Sequence, residues 1–552
     1  MNKKIRAIAL VLAASMMFSV AGCRKDPEPA VSSATTTSAE ESTTTTTTAA
    51  ETSEAPSASE TTALPKKEGK IEFPTGERYH YDMSLTLNEE ERTIGGHVDF
   101  TFFNDSTEDW DKLCLRDYSS LFKNPKDAGY DSGIETNGAI TEIKSVTDSR
   151  NSGTIEIERD KDVSVVWVPL ATKLAPGEKM TLSYDFVAVI PTVADRYGVS
   201  DGVFCVTNFY PILAEYTSSG WSHAGYYSVG ECFYSEISDY DVKLTVPSGM
   251  TVLSTGVETG ETSSGSDKTI SIFAECVRDF VFCGSSEFKL VEGDYNATHV
   301  RVAYTEEENP EGDKLEAELS LKGAIDSLAA FGAAFGEYPY QDLEVIVAPI
   351  SAGGMEYPNL VIISKTFVSD SSGMTAEEQY QAMVDNVVSH EVGHQWFMGI
   401  VGSNSGMQPW LDESFASFTE YVYERYVYPD RQQYTVEFDS GESSSDDDGL
   451  YFTSDGTAVP INMPYYDYKD EWVYIMAVYM QGKEVLKKMC SILGQDEFYG
   501  IVKEYVKRNA FRNADQTDFF SVLYEIAGKD NEELNKVIKK NFDDKVQPDK
   551  FA

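Results

Sequence analysis

His390-Glu391-Val392-Gly393-His394 sets two imidazoles four residues apart with a carboxylate between them. On a helix such residues share one face, one turn apart, where both rings can reach one zinc ion. Glu391 sits on the adjoining part of that surface, where its carboxylate can take a proton from an attacking water. With six histidines in 552 residues, chance would produce the pattern in about one such chain in 200. No other histidine follows His299, and Val387, Val388, Trp396 and Phe397 flank the pair. That setting predicts a helix buried on one side rather than a surface helix with two solvated rings. A catalytic zinc keeps one position for water, so a third protein ligand must come from a neighbouring element. Asp412 and Glu413 lie in Pro409-Trp410-Leu411-Asp412-Glu413-Ser414-Phe415-Ala416, and positions 395 to 412 separate His394 from Glu413. The small-residue loop from Gly399 to Gly406 lets the next helix fold back. Spacing alone does not choose between Asp412 and Glu413.

HExxH followed, after that interval, by Glu within Trp-Leu-Asp-Glu-Ser resembles the gluzincin aminopeptidase family, of which aminopeptidase N is a member. The resemblance implies one zinc ion held by His390, His394 and Glu413, with Glu391 as general base. Gly353-Gly354-Met355-Glu356-Tyr357 is similar to the family's Gly-x-Met-Glu-Asn exopeptidase segment. By that likeness Gly353, Gly354, Met355 and Glu356 bind substrate, and Glu356 pairs with its free α-amino group. A fixed carboxylate near the metal would pair with an ammonium group and admit only the first peptide bond. Tyr357 departs from the family, which most often has Asn there. Tyr479-Met480-Gln481-Gly482 is similar to a Tyr-x-x-Gly segment whose tyrosine donates to the developing oxyanion. Tyr474 competes for that role, and the Gly482 spacing favours Tyr479. Likenesses also appear at Phe209-Tyr210-Pro211, Tyr234-Ser235-Glu236 and Val277-Arg278-Asp279-Phe280. The expectation is an aminopeptidase acting on peptides with a free amino terminus. An endopeptidase and a non-catalytic peptide-binding surface lipoprotein are the competing readings.

The elements that must position these residues divide in two. His97–Phe103, Thr154–Ile157, Val163–Val168, Met180–Phe186 and Tyr240–Val246 are short β-branched and aromatic runs separated by turn-formers, which predicts an antiparallel β domain. From Glu306 the period becomes helical. Leu315–Phe335 ends at Gly336, and a buried strand follows at Leu343–Ala348. Thr375-Ala376-Glu377-Glu378 is a capping box opening a helix to about Val401. Further helices are predicted near Leu411–Tyr426, Glu471–Leu493, Glu497–Arg508, Thr517–Gly528 and Glu532–Asn541. The fold class is therefore α+β and multidomain: an antiparallel β amino-terminal domain, then a thermolysin-like, mostly helical catalytic domain. The expected divisions are 1–22 (signal peptide), 23–70 (linker), 71–291 (β domain) and 292–552 (peptidase domain). Many family members carry a further helical domain, so any enclosure it supplies is expected to be absent or made differently.

The charge balance excludes one class of partner. There are 45 basic and 91 acidic residues, a net charge of −46, whereas nucleic-acid binding needs a clustered positive surface. Lys3, Lys4 and Arg6 precede an apolar run from Ala7 to Val20, the pattern of an export signal. Val20-Ala21-Gly22-Cys23 resembles a bacterial lipobox, which implies cleavage before Cys23 and a lipid on that residue. The expected location is the cell membrane, lipid-anchored and facing outward. Ala30 to Pro65 is nearly all Ser, Thr, Ala and Glu, a disordered spacer about 30 Å in reach. The remaining six cysteines are scattered and imply no disulfide framework. Asp439 and Asp446-Asp447-Asp448 lack the Gly and Glu positions of a calcium loop and read as solvated.

Overall fold

The computed structural model describes residues 70–129, 136, 139–227, 230–366, 368, 372, 374–430 and 459–551. The expected leader, Cys23, the spacer and the acidic stretch 439–448 lie outside the described residues. Among the described residues no helix is long and apolar enough to cross a membrane.

Alternation builds the first sheet. In Tyr79–Asn88, Tyr79, Tyr81, Met83, Leu85 and Leu87 are buried while the residues between them are not, as a strand with one face on a core requires. It is the middle strand of a seven-stranded sheet. It pairs antiparallel with Thr93–Phe103 and parallel with Ser238–Pro247. That one parallel pair exists because a long excursion, which carries one four-stranded sheet whole and two strands of another, separates the two strands in the chain. Stacked aromatic rings fill the face beneath: Tyr81 lies 4.0 Å from Phe100 and 4.8 Å from Tyr240 between ring centres. The strand expected at Thr154–Ile157 is reduced to one bridge, Thr147 to Thr154, with pairing resumed at Glu158–Arg159. Ile155 and Ile157 are half-buried against the core while Thr154 and Glu156 are exposed, so the run keeps its alternation without a continuous ladder.

The second half is built on a five-stranded sheet in the order Lys289–Tyr295, Thr298–Tyr304, Asp342–Ala348, Leu360–Ser364, Gly354–Tyr357. Asp342–Ala348 runs down its centre, buried from Leu343 onward. Gly354–Tyr357 is the edge strand. Helix Pro310–Phe335 covers the sheet, capped at its start by Asn309 and ended at Gly336, whose φ of 119° suits glycine. The predicted capping box is present: Thr375 accepts from the Glu378 amide, and Glu378 accepts from the Thr375 amide.

That helix, Ala376–Met383, continues through a π-turn, Val384–Val388, into Ser389–Gly393. It stops eight residues short of the expected Val401. After His394 the chain reverses tightly, and Val401–Gly402 pairs with Arg512–Asn513 instead. A Cβ on Gly399 would stand 2.8 Å from the Gln395 carbonyl oxygen, so the reversal needs glycine there. The other predicted helices are present at Glu413–Val427, Glu471–Leu493 (with a π-turn at Met476–Gln481), Gln495–Asn509, Gln516–Ala527 and Glu532–Asn541.

Candidate metal centre and active site

Three donor atoms from two helices converge on one point. His390 Nε2 lies 3.1 Å from His394 Nε2 and 3.3 Å from Glu413 Oε2, and His394 Nε2 lies 3.4 Å from the same oxygen. All three residues are buried. The helical period brings the two rings together. The reversal after Gly393 brings the second helix back, and Glu413 is its first residue.

Carboxylates fix the far side of each ring. His394 Nδ1 lies 2.7 Å from Asp412 Oδ1, and Asp412 Oδ2 accepts from the Ser405 hydroxyl at 2.6 Å. His390 Nδ1 lies 3.0 Å from Glu420 Oε1, while Lys483 holds the other oxygen of Glu420. With Nδ1–H donating outward, each Nε2 lone pair faces the shared point. Asp412, the rival on spacing, thus lies behind His394, and Glu413 faces the centre. Burial alone would lower His390, but Glu413 and Glu420 hold it up at about 9. Burial would raise Glu413, yet His394 and His390 hold it well below the usual carboxylate range.

The donor set fits a metal. Zinc at about 2.0–2.1 Å from each of four ligands would space them about 3.3 Å apart. The three observed separations bracket that value. Two imidazole nitrogens and one carboxylate oxygen form the catalytic type of set, which leaves a fourth position open.

Glu391 lies beside this point, with Oε2 buried and without a hydrogen-bond partner. Burial raises its carboxyl to about 7. The edge strand passes directly over it: a Cβ on Gly354 would come within 2.5 Å of Glu391 Cγ. Two residues along the same strand face, Glu356 joins Glu391 and His394 in a second cluster whose ligand atoms lie within 4.8 Å. Burial, then the charge of Glu231, pushes the Glu356 carboxyl well up. Gly353, Gly354 and Met355 lead into Glu356, with Met355 turned into an apolar cluster behind the strand.

Tyr479 lies in the second π-turn, its ring parallel to that of His390 at 6.0 Å and its hydroxyl raised in pKa by burial and by the charge of Glu413. π-Turns interrupting α-helices recur at functional sites, and here one precedes His390 while the other carries Tyr479. Tyr474 is buried, with its hydroxyl against Gly230. Glu231, next to Gly230, is the site residue that sequence reasoning missed. It forms a two-pronged ion pair with Arg196 at 2.8 Å and acts electrostatically on Glu356, Glu391 and Glu413. No spacing rule could have found it, because it reaches the centre from the other domain.

Comparison with known proteins agrees with this geometry. Residues 320–541 match the peptidase family M1 domain. Aminopeptidase M1-B of Oryza sativa subsp. japonica is 28% identical over 302 residues, which is 53% of this chain and 33% of that protein. Puromycin-sensitive aminopeptidase of Caenorhabditis elegans is 24% identical over 400 residues, 69% of this chain and 40% of that protein. The chain thus spans about a third of the length of the first of these relatives. An M1 zinc metallopeptidase from Deinococcus radiodurans superposes with a TM-score of 0.56 at 17% identity, covering 86% of this chain and 97% of that one. A two-domain M1 zinc metallopeptidase solved with L-arginine gives 0.54 at 16% identity, covering 87% and 99%. The fold is therefore that of the two-domain M1 metallopeptidases. Residues 320–541 of this chain thus form a peptidase family M1 domain.

Proposed function

We propose that this protein is a zinc-dependent aminopeptidase that removes amino-terminal residues from peptides. One observation carries the reading: Glu356 stands beside Glu391 and His394, within 4.8 Å between ligand atoms. A carboxylate so placed can hold a substrate ammonium while the first peptide bond lies over the metal point. Zinc bound by His390, His394 and Glu413 would polarise the scissile carbonyl and lower the pKa of a water in its open position.

The chain's own groups do the rest. Glu391 takes the proton of the attacking water on its unpartnered Oε2 and returns it to the leaving amine. Its raised proton affinity suits an exchange near neutral pH. Tyr479 donates to the carbonyl oxygen as negative charge develops there. Gly354 leaves the space in which Glu391 lies. Glu356, joined electrostatically by Glu231, holds the amino end, and repulsion between these buried carboxylates is relieved when a cation arrives.

The test compares one short peptide with a free amino terminus and the same peptide acetylated, using zinc-loaded protein from residue 66 onward and Glu391→Gln as blank. Release of the first residue from the free form alone is expected. Internal cleavage of both forms would make the protein an endopeptidase. Cleavage of neither would favour peptide capture.

We further propose that the mature protein is anchored by a lipid on Cys23 and faces outward from the cell membrane. The charged start, the apolar run and Val20-Ala21-Gly22-Cys23 support this. Metabolic labelling with a fatty acid, lost in Cys23→Ser, is the expected result. Label retained in that variant would place the modification elsewhere.

A further inference from the structure

Glu356 lies on the edge strand Gly354–Tyr357, which among the described residues pairs only with Leu360–Ser364. A four-residue strand held along one side is a weak mount for a group that must meet an ammonium at a set distance. Pairing stops at Tyr357, and the chain then turns through Pro358 and Asn359, whose φ is 61°. Whatever steadies Glu356 must therefore act at this end.

Tyr357 is held at both of its polar ends. Its carbonyl accepts from the Gln395 side-chain amide at 2.9 Å, and Gln395 follows His394 directly. Its ring points away from Glu356, as neighbouring residues on a strand do. It belongs to an apolar cluster that also holds Val203, Cys205, Leu253 and Phe288 of the amino-terminal domain. Its hydroxyl donates to Asn208 Oδ1 at 2.8 Å and lies 2.8 Å from Thr207 Oγ1. Asn208 is itself fixed: its amide donates to Asp279 Oδ2 at 3.1 Å, and Asp279 also accepts from the Tyr210 hydroxyl and the Phe280 amide.

We infer that Tyr357 is a positioning residue that holds Glu356 at its working distance by tying the end of the edge strand to the amino-terminal domain. The assignment rests on the aminopeptidase reading. One end of Tyr357 takes its position from the metal helix through Gln395, and the other from the β domain through Asn208. The domain interface is thereby part of the amine-binding geometry, although Tyr357 does not touch substrate.

Tyr357→Phe removes only the hydroxyl and keeps the ring. The zinc-loaded variant is assayed on a short peptide with a free amino terminus, and inhibition by the same peptide's des-amino analogue is measured in parallel. A looser Glu356 weakens amine binding, so KM is expected to rise about 10-fold. The kcat should stay within about twofold, and the inhibition constant of the des-amino analogue should not move. Asn208→Gly keeps the left-handed backbone and removes the acceptor, so it should reproduce the KM change, and the double variant should add nothing to it. An unchanged KM in both variants overturns the assignment. Equal weakening of peptide and des-amino analogue also overturns it, because the damage would then be general. Failure of the function itself reads differently: wild-type protein would show no preference for the free amine, and the assignment falls with it.

Discussion

Gly354 lies so close to Glu391 that a Cβ would come within 2.5 Å of its Cγ and nearer still to its carboxyl group. The strand backbone forms one wall of the space in which Glu391 is held, and only glycine leaves that space open. Gly354→Ala is expected to push the carboxylate aside. Because the obstacle is the end of a side chain, the fold can yield there at small cost. Peptide hydrolysis should fall about 100-fold or more, the scale for losing a positioned proton acceptor, while bound zinc and Tm stay near wild type. Retained activity would show that Glu391 works from another rotamer.

The outer carboxylates set metal affinity rather than chemistry. Asp412 behind His394 and Glu420 behind His390 each hold one Nδ1. Asp412→Ala and Glu420→Gln should each weaken zinc binding about 10- to 100-fold in competition with a chromophoric chelator. Lys483→Met should act in the same direction and more weakly, since Lys483 reaches His390 only through Glu420. Equal affinity in all three variants would mean the rings orient themselves.

Local and distant information separate cleanly in this site. His390, Glu391 and His394 were legible because one helical turn places them. Glu413 was reachable because a short loop must return the chain. Asp412 could not be told from Glu413, since the choice depends on which carboxylate faces inward after the reversal. Glu420 and Lys483 are 63 positions apart and meet only through packing of two helices. Tyr357 meets Thr207 across 150 positions, and no pattern in either segment announces it. The same limit applies to the fold. Strong alternation marked Thr93–Phe103 and Lys179–Val189, whereas Thr154–Ile157 alternates too, with Ile155 and Ile157 against the core, yet pairs at a single bridge.

Arg278 ties the two halves together. It is buried and donates to the carbonyls of Ser235, Gly399 and Arg512, and it also bonds Asn513. Gly402 leaves the space its guanidinium fills. Arg278→Met would strand those acceptors together with half-buried Glu236, at a cost of about 3–5 kcal/mol. Calorimetry should show a clear drop in Tm or a transition split into two. An unchanged transition would make the contact incidental to joining the domains.

The same interface makes stability depend on pH in an unusual direction. Burial pushes Asp279 up to about 7, and burial lifts Glu236 to about 7 against the pull of Arg278. Both folded values lie above those of an unfolded chain. Between about pH 4, the ordinary carboxylate value, and pH 7, the folded protein keeps protons that the unfolded chain has released. Stability must therefore fall as pH rises across that window and level off above it. His390, raised to about 9 in metal-free protein, acts with the same sign at higher pH. Asp148, lowered by Arg150 despite its burial, loses its contribution only on the acid side of the window. Metal-stripped protein at constant salt, which holds the screening of the −46 charge fixed, should melt about 2–4 °C higher at pH 5.5 than at pH 8. Asp279→Asn should shrink that difference. A Tm that is flat or rising over the interval would mean that water reaches both carboxylates and the interface is not dry.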